Sequence, residues 1–267
     1  MTSIIINAAT GRMGKELLTS AVSDAGCVVA AAMARENHPL IGSDIGYLIG
    51  ANPQGKLLIY DYAEAFQAGE VIIDFSLPAH SMATLEQAVK AQRPMVIGTT
   101  GFSDQQLTQI HEAAQTIPIM LSANYSLGVN ALLALARQTT QLLGTQSDIE
   151  IFEAHHKHKI DAPSGTALAI GEAIAETQGK KLNDIAQYER SGKREAGEIG
   201  FSVMRAGEII GTHEVIFALN GELLTLKHEA QSRQCFAQGA IEAAKWLVKQ
   251  PAGLYDMQKL LQKRAQN

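Results

Sequence analysis

Short apolar runs alternate with amphipathic stretches through the first half of the chain, and this alternation constrains the fold more than any other feature. "SIIIN" (3–7), "CVVAAAM" (27–33), "VIIDFS" (71–76), "PMVIGTT" (94–100) and "IPIMLSAN" (117–124) have the length and composition of buried strands. Between them, "RMGKELLTSAVSDAG" (12–26), "AHSMATLEQAVKAQ" (79–92) and "SDQQLTQIHEAAQT" (103–116) have helical patterning. Strands separated by helices of this length predict a parallel sheet in a doubly wound α/β domain.

The pattern changes near residue 127. A helix (128–143) precedes "DIEIFEAH" (148–155), where Ile149 and Ile151 alternate with acids as in a strand with one wet face. "EIGFSVMRAG", "GTHEVIFALNG" and "ELLTLKHEA" are three further alternating runs separated by glycine turns, which predicts an antiparallel or mixed sheet. After Ser232, a candidate N-cap, "RQCFAQGAIEAAKWLVKQ" forms a long helix that ends at Pro251 and Gly253. The expected division is a first domain of 1–126 and 236–267, with 127–235 inserted as a second.

A net charge of −5 argues against nucleic acid as a partner, because phosphate binding needs a basic footprint. The longest near-apolar run, "AGCVVAAAMA", is too short to span a bilayer, so no membrane association is expected. The N-terminus lacks the basic region of a signal peptide, and Cys27 and Cys235 form no CxxC pair. The expected compartment is the cytoplasm.

The turn after the first strand, "NAATGRMGKELL", holds Ala8, Gly11 and Gly14 in the frame of a dinucleotide-binding glycine loop. Alanine suits the first position as long as its φ stays negative. Gly11 lets the backbone approach a pyrophosphate, and the amides of Arg12 and Met13 open a helix whose positive end faces the anion. In such domains an acid at the end of the second strand holds the ribose hydroxyls. Here Ala34 takes that place, followed by Arg35. A missing carboxylate beside a guanidinium favours the 2′-phosphate of NADPH over NADH. The alternative is that Glu36 swings in and does the acid's work. At the later strand ends, the peptide groups of Gly98, Thr99 and Thr100 are placed to grip a carboxamide, although such residues also serve as ordinary turns.

The most unusual stretch is "AHHKHKIDAPSGTA" (154–167). Asp161 and Pro163 break the chain, and Ser164 caps the following helix "GTALAIGEAIAET". Histidines and lysines on a strand-to-helix loop, facing the amides of a helix N-terminus, make an anion site suited to carboxylates. No metal is expected: no cysteine or downstream histidine completes a ligand spacing, and interleaved ammonium groups oppose a dication. A solvated charged loop is the plain structural alternative. A lysine crowded by cations titrates low and histidine titrates near neutrality, so either suits proton donation.

With these pieces together the chain resembles the dihydrodipicolinate reductase family. "TGRMG", "DFS", "GTTG", "SANYSLGVN", "EAHHKHKIDAPSGTA", "GEIGFSVMRAGEIIGTHEV" and "SRQCFAQGA" fall in the family's order, and the E-x-H-H-x-x-K-x-D-A-P-S-G-T stretch is the most specific. The resemblance implies a Rossmann-type doubly wound parallel-sheet domain closed by the C-terminal helix, plus an inserted α+β domain with a mixed sheet that builds a homotetramer. It implies NADPH- or NADH-dependent reduction of a small cyclic dicarboxylate, giving tetrahydrodipicolinate with loss of water.

By motif, His155 is the implied proton donor and Lys159 its cationic partner, with His156 on the substrate. Ser164, Gly165 and Thr166 would hold a carboxylate through amides and hydroxyls. Gly98, Thr99, Thr100, Ala123 and Asn124 would lie against the nicotinamide half, and Gly11, Arg12 and Met13 against the pyrophosphate. Ala8 stands where the family commonly has glycine, and Ala34 where many members carry an acid. A cofactor-sensing protein on the same fold would not need a proton donor among its anion-binding groups. A semialdehyde dehydrogenase would need a nucleophilic cysteine, which neither Cys27 nor Cys235 resembles.

Overall fold

The computed structural model describes residues 1–265 and contains two compact units, Met1–Leu127 with Arg233–Asn267, and Gly128–Ser232. In chain order the elements are β1 (Thr2–Asn7), α1 (Arg12–Ser23), β2 (Cys27–Met33), α2 (Ile45–Leu48), β3 (Leu58–Ile59), α3 (Tyr62–Ala68), β4 (Val71–Asp74), α4 (Pro78–Lys90), β5 (Met95–Ile97), α5 (Asp104–Ala113) and β6 (Pro118–Leu121). There follow α6 (Leu127–Leu143), β7 (Asp148–His155), α7 (Gly165–Thr177), α8 (Leu182–Ile185), β8 (Ala186–Gln187), β9 (Ile199–Arg205), β10 (Thr212–Leu219) and β11 (Glu222–Glu229). The chain then runs through α9 (Gln234–Leu247), β12 (Gly253–Tyr255) and α10 (Met257–Ala265).

The first unit is a seven-stranded, wholly parallel sheet in the order β12-β6-β5-β4-β1-β2-β3. Its strands are apolar on both sides because both faces are covered. Ile4 and Ile6 join a core built with Leu17 and Leu18 of α1 and Ala240, Ile241 and Leu247 of α9. Ile5 faces the other way, onto Phe66 of α3, Leu85 of α4 and Ile110 of α5. The chain reverses direction across the sheet between β1 and β4, so the carboxyl ends of these two strands form the switch point where doubly wound sheets bind ligands.

Three features of this unit differ from the sequence expectation. The long helix ends at Leu247, before Pro251, and the chain then adds β12 and α10, which the patterning does not predict. These are short elements, and the Pro-Ala-Gly run before them masks them. Ser232 is not the N-cap of α9. Arg233 takes that position in an αR conformation, with no side-chain cap bond. Ala8 does not keep a negative φ but sits at +51°, in the left-handed region.

The geometry of the turn forces that conformation on Ala8. Its carbonyl oxygen accepts from the Gly11 amide at 3.0 Å while the chain turns from β1 into α1. A non-glycine residue there costs about 1–2 kcal/mol, offset in part by the entropy that glycine would lose on folding. Ala8→Gly is therefore expected to stabilise the protein by roughly 0.5–1 kcal/mol, raising Tm by about 1–4 °C. Thermal unfolding followed by circular dichroism checks this, and a lower Tm would contradict it.

The second unit is a mixed five-stranded sheet in the order β11-β10-β7-β9-β8. β7 and β9 run parallel, and β10 runs antiparallel to both β7 and β11. Ile149, Ile151, Phe201, Val215 and Phe217 point to one face and form a core with Leu132 and Ala136 of α6 and Ile170 and Ile174 of α7. The strand pairing puts Phe152, Met204, Ile216 and Leu223 on the opposite face. Met204 and Leu223 are exposed there, at 46% and 71%.

Candidate active site

In the first unit, polar side chains tie the carboxyl ends of the central strands together. Asn7, at the end of β1, donates to Asp74 Oδ1 at 2.7 Å and to Thr84 Oγ1 at 2.8 Å. Asp74 Oδ2 accepts from Ser76 Oγ and from Thr99 Oγ1, both at 3.1 Å. Asp74 is fully buried, so these bonds replace the water it would otherwise hold. The network fixes the loops after β4 and β5 relative to β1. It commits the Thr99 side chain to structure and leaves peptide groups as what that loop can offer a ligand. Gly98 is required there, because a Cβ would lie 2.2 Å from the Phe75 ring. Thr100 and Ala123 are exposed beyond the ends of β5 and β6. The Asn124 side chain accepts from the Ser126 amide at 2.9 Å, which shapes the turn into α6.

Beside the glycine turn lies a cavity of about 510 Å³, lined among others by Ala8, Gly11, Ala34, Arg35, Glu36 and His38. Arg12 and Met13 begin α1, whose N-cap is Gly11 with no side chain to satisfy the first amides. Gly14 lets the helix approach the turn: a Cβ would lie 2.3 Å from the Ala8 carbonyl oxygen. The donor set at this turn is the first backbone amides of α1, and it suits a dinucleotide pyrophosphate. Arg35 and Glu36 both reach the cavity, so the structure brings together the two residues that the sequence set against each other.

In the second unit the cationic segment leaves the end of β7 and returns at the N-terminus of α7. Ser164 is the N-cap, and its hydroxyl accepts from the Ala167 amide. Glu153, two residues before the end of β7, is 1% exposed. Its carboxylate takes Arg205 through two bonds, Nη1 to Oε2 at 2.8 Å and Nη2 to Oε1 at 2.7 Å. It also accepts from His155 Nδ1 at 2.6 Å and from the Ser164 amide at 2.9 Å. The parallel register of β7 and β9 sets His155 opposite Arg205. The antiparallel register sets Glu153 opposite His213, whose Nε2 lies 3.1 Å from Ser164 Oγ.

Burial alone would raise the Glu153 carboxyl, but Arg205, His155 and the Ser164 amide hold it below the usual carboxylate range. Burial lowers His155, opposed by Glu153 and reinforced by Lys159 and Arg205. Burial and the neighbouring His155 push His213 down to about 4, so it is neutral at physiological pH. An ionised Glu153 can only accept, so His155 carries its proton on Nδ1 and presents Nε2. The space beside that nitrogen is kept by Gly211, where a Cβ would lie 3.1 Å from it.

Lys159 Nζ pairs with Asp161 Oδ2 at 2.9 Å, so its partner is an acid where the sequence suggested crowding by cations. Lys157 and His158 are exposed. His156 Nδ1 is buried with no partner among the described residues. Ser164 departs from its expected role as a direct carboxylate ligand. It is 2% exposed, its amide is spent on Glu153, and its hydroxyl on Ala167 and His213. The helix end offers an anion its first turn instead, where Gly165 is exposed and Thr166 partly so. Sequence reasoning missed Glu153, Arg205, His213 and Asp74. All four lay inside motifs that drew notice, but no spacing along the chain encodes a cross-strand register.

Family models match both halves of the chain: "Dihydrodipicolinate reductase, N-terminus" over residues 2–125 and "Dihydrodipicolinate reductase, C-terminus" over residues 128–261. A protein of Pseudoalteromonas translucida (strain TAC 125), named 4-hydroxy-tetrahydrodipicolinate reductase, is 49% identical over 256 residues, covering 95% of both chains. One of the same name from Hahella chejuensis (strain KCTC 2396) is 44% identical over 264 residues, covering 98% of this chain and 99% of its own. Among solved structures, a dipicolinate-bound dihydrodipicolinate reductase from Paenisporosarcina sp. TG-14 superposes with a TM-score of 0.77. It is 23% identical and covers 97% of this chain and 99% of its own, a likeness of fold.

Proposed function

The chain belongs to the dihydrodipicolinate reductase family, and on that premise we infer that it reduces 4-hydroxy-tetrahydrodipicolinate to tetrahydrodipicolinate with a nicotinamide cofactor. The role lies in lysine and diaminopimelate biosynthesis. Water leaves, and a hydride and a proton are added across the resulting conjugated ring. The observation that carries this reading is the segment between β7 and α7, where His155 and Lys159 stand beside a helix N-terminus.

The reduced nicotinamide supplies the hydride when bound. Gly11, Arg12 and Met13 hold its pyrophosphate, with Ala8 shaping the turn. The peptide groups of Gly98, Thr99 and Thr100, with Ala123 and Asn124, orient the nicotinamide half. In the second unit, Lys159, His156 and the first turn of α7 at Gly165 and Thr166 hold the substrate carboxylates, whose charge an ammonium and helix amides stabilise. His155 takes up a proton at Nε2 and delivers it to the product. Lys159 provides the positive charge that makes the ring a better hydride acceptor.

NADPH is the preferred cofactor in this reading, supported by Arg35 and by Ala34 in place of an acid at the cavity wall. Glu36 on the same wall supports the opposing preference for NADH. Restoring an acid with Ala34→Glu decides between them. The ratio of kcat/KM for NADPH over NADH is expected to fall by about tenfold, as a new carboxylate repels the 2′-phosphate. An unchanged ratio would overturn the assignment to Arg35. Exposed Met204 and Leu223, on the face of the five-stranded sheet away from its core, support assembly into a homotetramer. Among the described residues no helix is long and apolar enough to cross a membrane. Both cysteines are free, which suits the cytoplasm.

A further inference from the structure

We propose that Glu153 and Arg205 form a positioning pair for the reaction. Glu153 holds the His155 proton on Nδ1 so that Nε2 is the nitrogen that exchanges a proton with the substrate, and Arg205 keeps Glu153 ionised for that task. The proposal rests on the assignment of His155 as proton donor and deepens it.

A fully buried carboxylate is costly unless every lone pair it offers is used. Glu153 uses four, on Arg205 twice, on His155 Nδ1 and on the Ser164 amide. The guanidinium takes two of them. The other two bonds go to the proton donor and to the cap of the helix that holds the substrate. Arg205 Nη2 also donates to the Asp161 carbonyl at 2.6 Å, and Asp161 pairs with Lys159. One buried carboxylate thus sets the ring of His155, the first turn of α7 and the loop that bears Lys159.

With bidentate Arg205 on it, Glu153 stays a pure acceptor, so it orients His155 without taking its proton. The charged and titratable groups around His155 are Glu153 on its own strand, Arg205 on β9, His213 on β10 and Lys159 on the loop. Glu153 is the anion among them that directly bonds the ring, so its charge sustains the protonated form. The electrostatics agree: burial lowers His155, and Glu153 opposes that fall.

The test has two arms. In the intact wild-type protein, 15N NMR of His155 above its titration range is expected to show a protonated Nδ1 and a bare Nε2; the reverse tautomer would overturn the proposal without any variant. Glu153→Gln is expected to lower kcat on the order of 10- to 100-fold and to raise KM by a smaller factor, because the orienting group for the proton donor is lost while the substrate-holding turn loses one of its supports. It is also expected to move the His155-dependent limb of the pH–kcat profile about one unit or more towards acid. A Glu153→Gln enzyme that folds, keeps the wild-type profile and keeps its kcat would reduce the pair to a structural ion pair. His155→Ala separates the two layers. If that variant turns over normally, the donor assignment itself falls. If it fails while Glu153→Gln is unaffected, only the positioning role falls.

Discussion

His155→Ala and Lys159→Ala are each expected to lower kcat by roughly 10²-fold or more. Loss of His155 removes the group that delivers a proton at Nε2, and the bonding of Glu153 to Arg205 and Ser164 remains to hold the strand end. Loss of Lys159 removes a positive charge beside the substrate ring and frees Asp161, its partner at 2.9 Å, to repel a dicarboxylate. The two variants should therefore differ in kind. His155→Ala should act mainly on kcat, and Lys159→Ala on both kcat and KM. Steady-state rates across pH check this, and near-normal turnover in both variants would remove the catalytic assignment.

The second large effect is structural and lies at the glycine turn. Gly14→Ala would place a methyl group 2.3 Å from the Ala8 carbonyl oxygen and 2.6 Å from Ala9 Cα, all of it backbone that cannot rotate away. α1 must then move off β1, disturbing the packing of Leu17 and Leu18 against Ile4 and Ile6. A destabilisation of about 2–3 kcal/mol is expected, at the upper end of overpacking costs, together with weaker cofactor binding as the helix amides retreat from the turn. Chemical denaturation and cofactor titration measure the two effects. A variant with unchanged stability and unchanged cofactor affinity would mean that the close approach of helix and turn is not needed.

The sequence made the architecture readable where a pattern is local. The alternation of apolar runs and helices is local, and β1, β2 and the junction of β7 with α7 through Ser164 lie where the patterning put them. Two failures show the limits of local rules. Ala8 carries a positive φ because the turn from strand to helix demands it, which overrides the preference of the residue. The family resemblance implies that Ser164 holds a substrate carboxylate, in keeping with its place at a helix N-terminus. Burial turns its amide to Glu153 and its hydroxyl to Ala167 and His213.

The partners of the site were hidden for a different reason. Arg205 is 52 residues from Glu153, and the two meet only because β7 and β9 run parallel in a register that sets His155 against Arg205. Asn7 and Asp74 meet across β1 and β4 in the same way. Residue types were visible in each case. Which strands become neighbours is decided by the packing of the whole sheet, so the pairing was not.

The most direct measurement of the central claim follows cofactor oxidation and product together, with enzymatically generated 4-hydroxy-tetrahydrodipicolinate and the wild-type chain. One NADPH or NADH should be consumed for each tetrahydrodipicolinate formed, at a rate that depends on substrate and collapses in His155→Ala. Cofactor oxidation no faster than in the absence of substrate, or undiminished in that variant, would contradict the account.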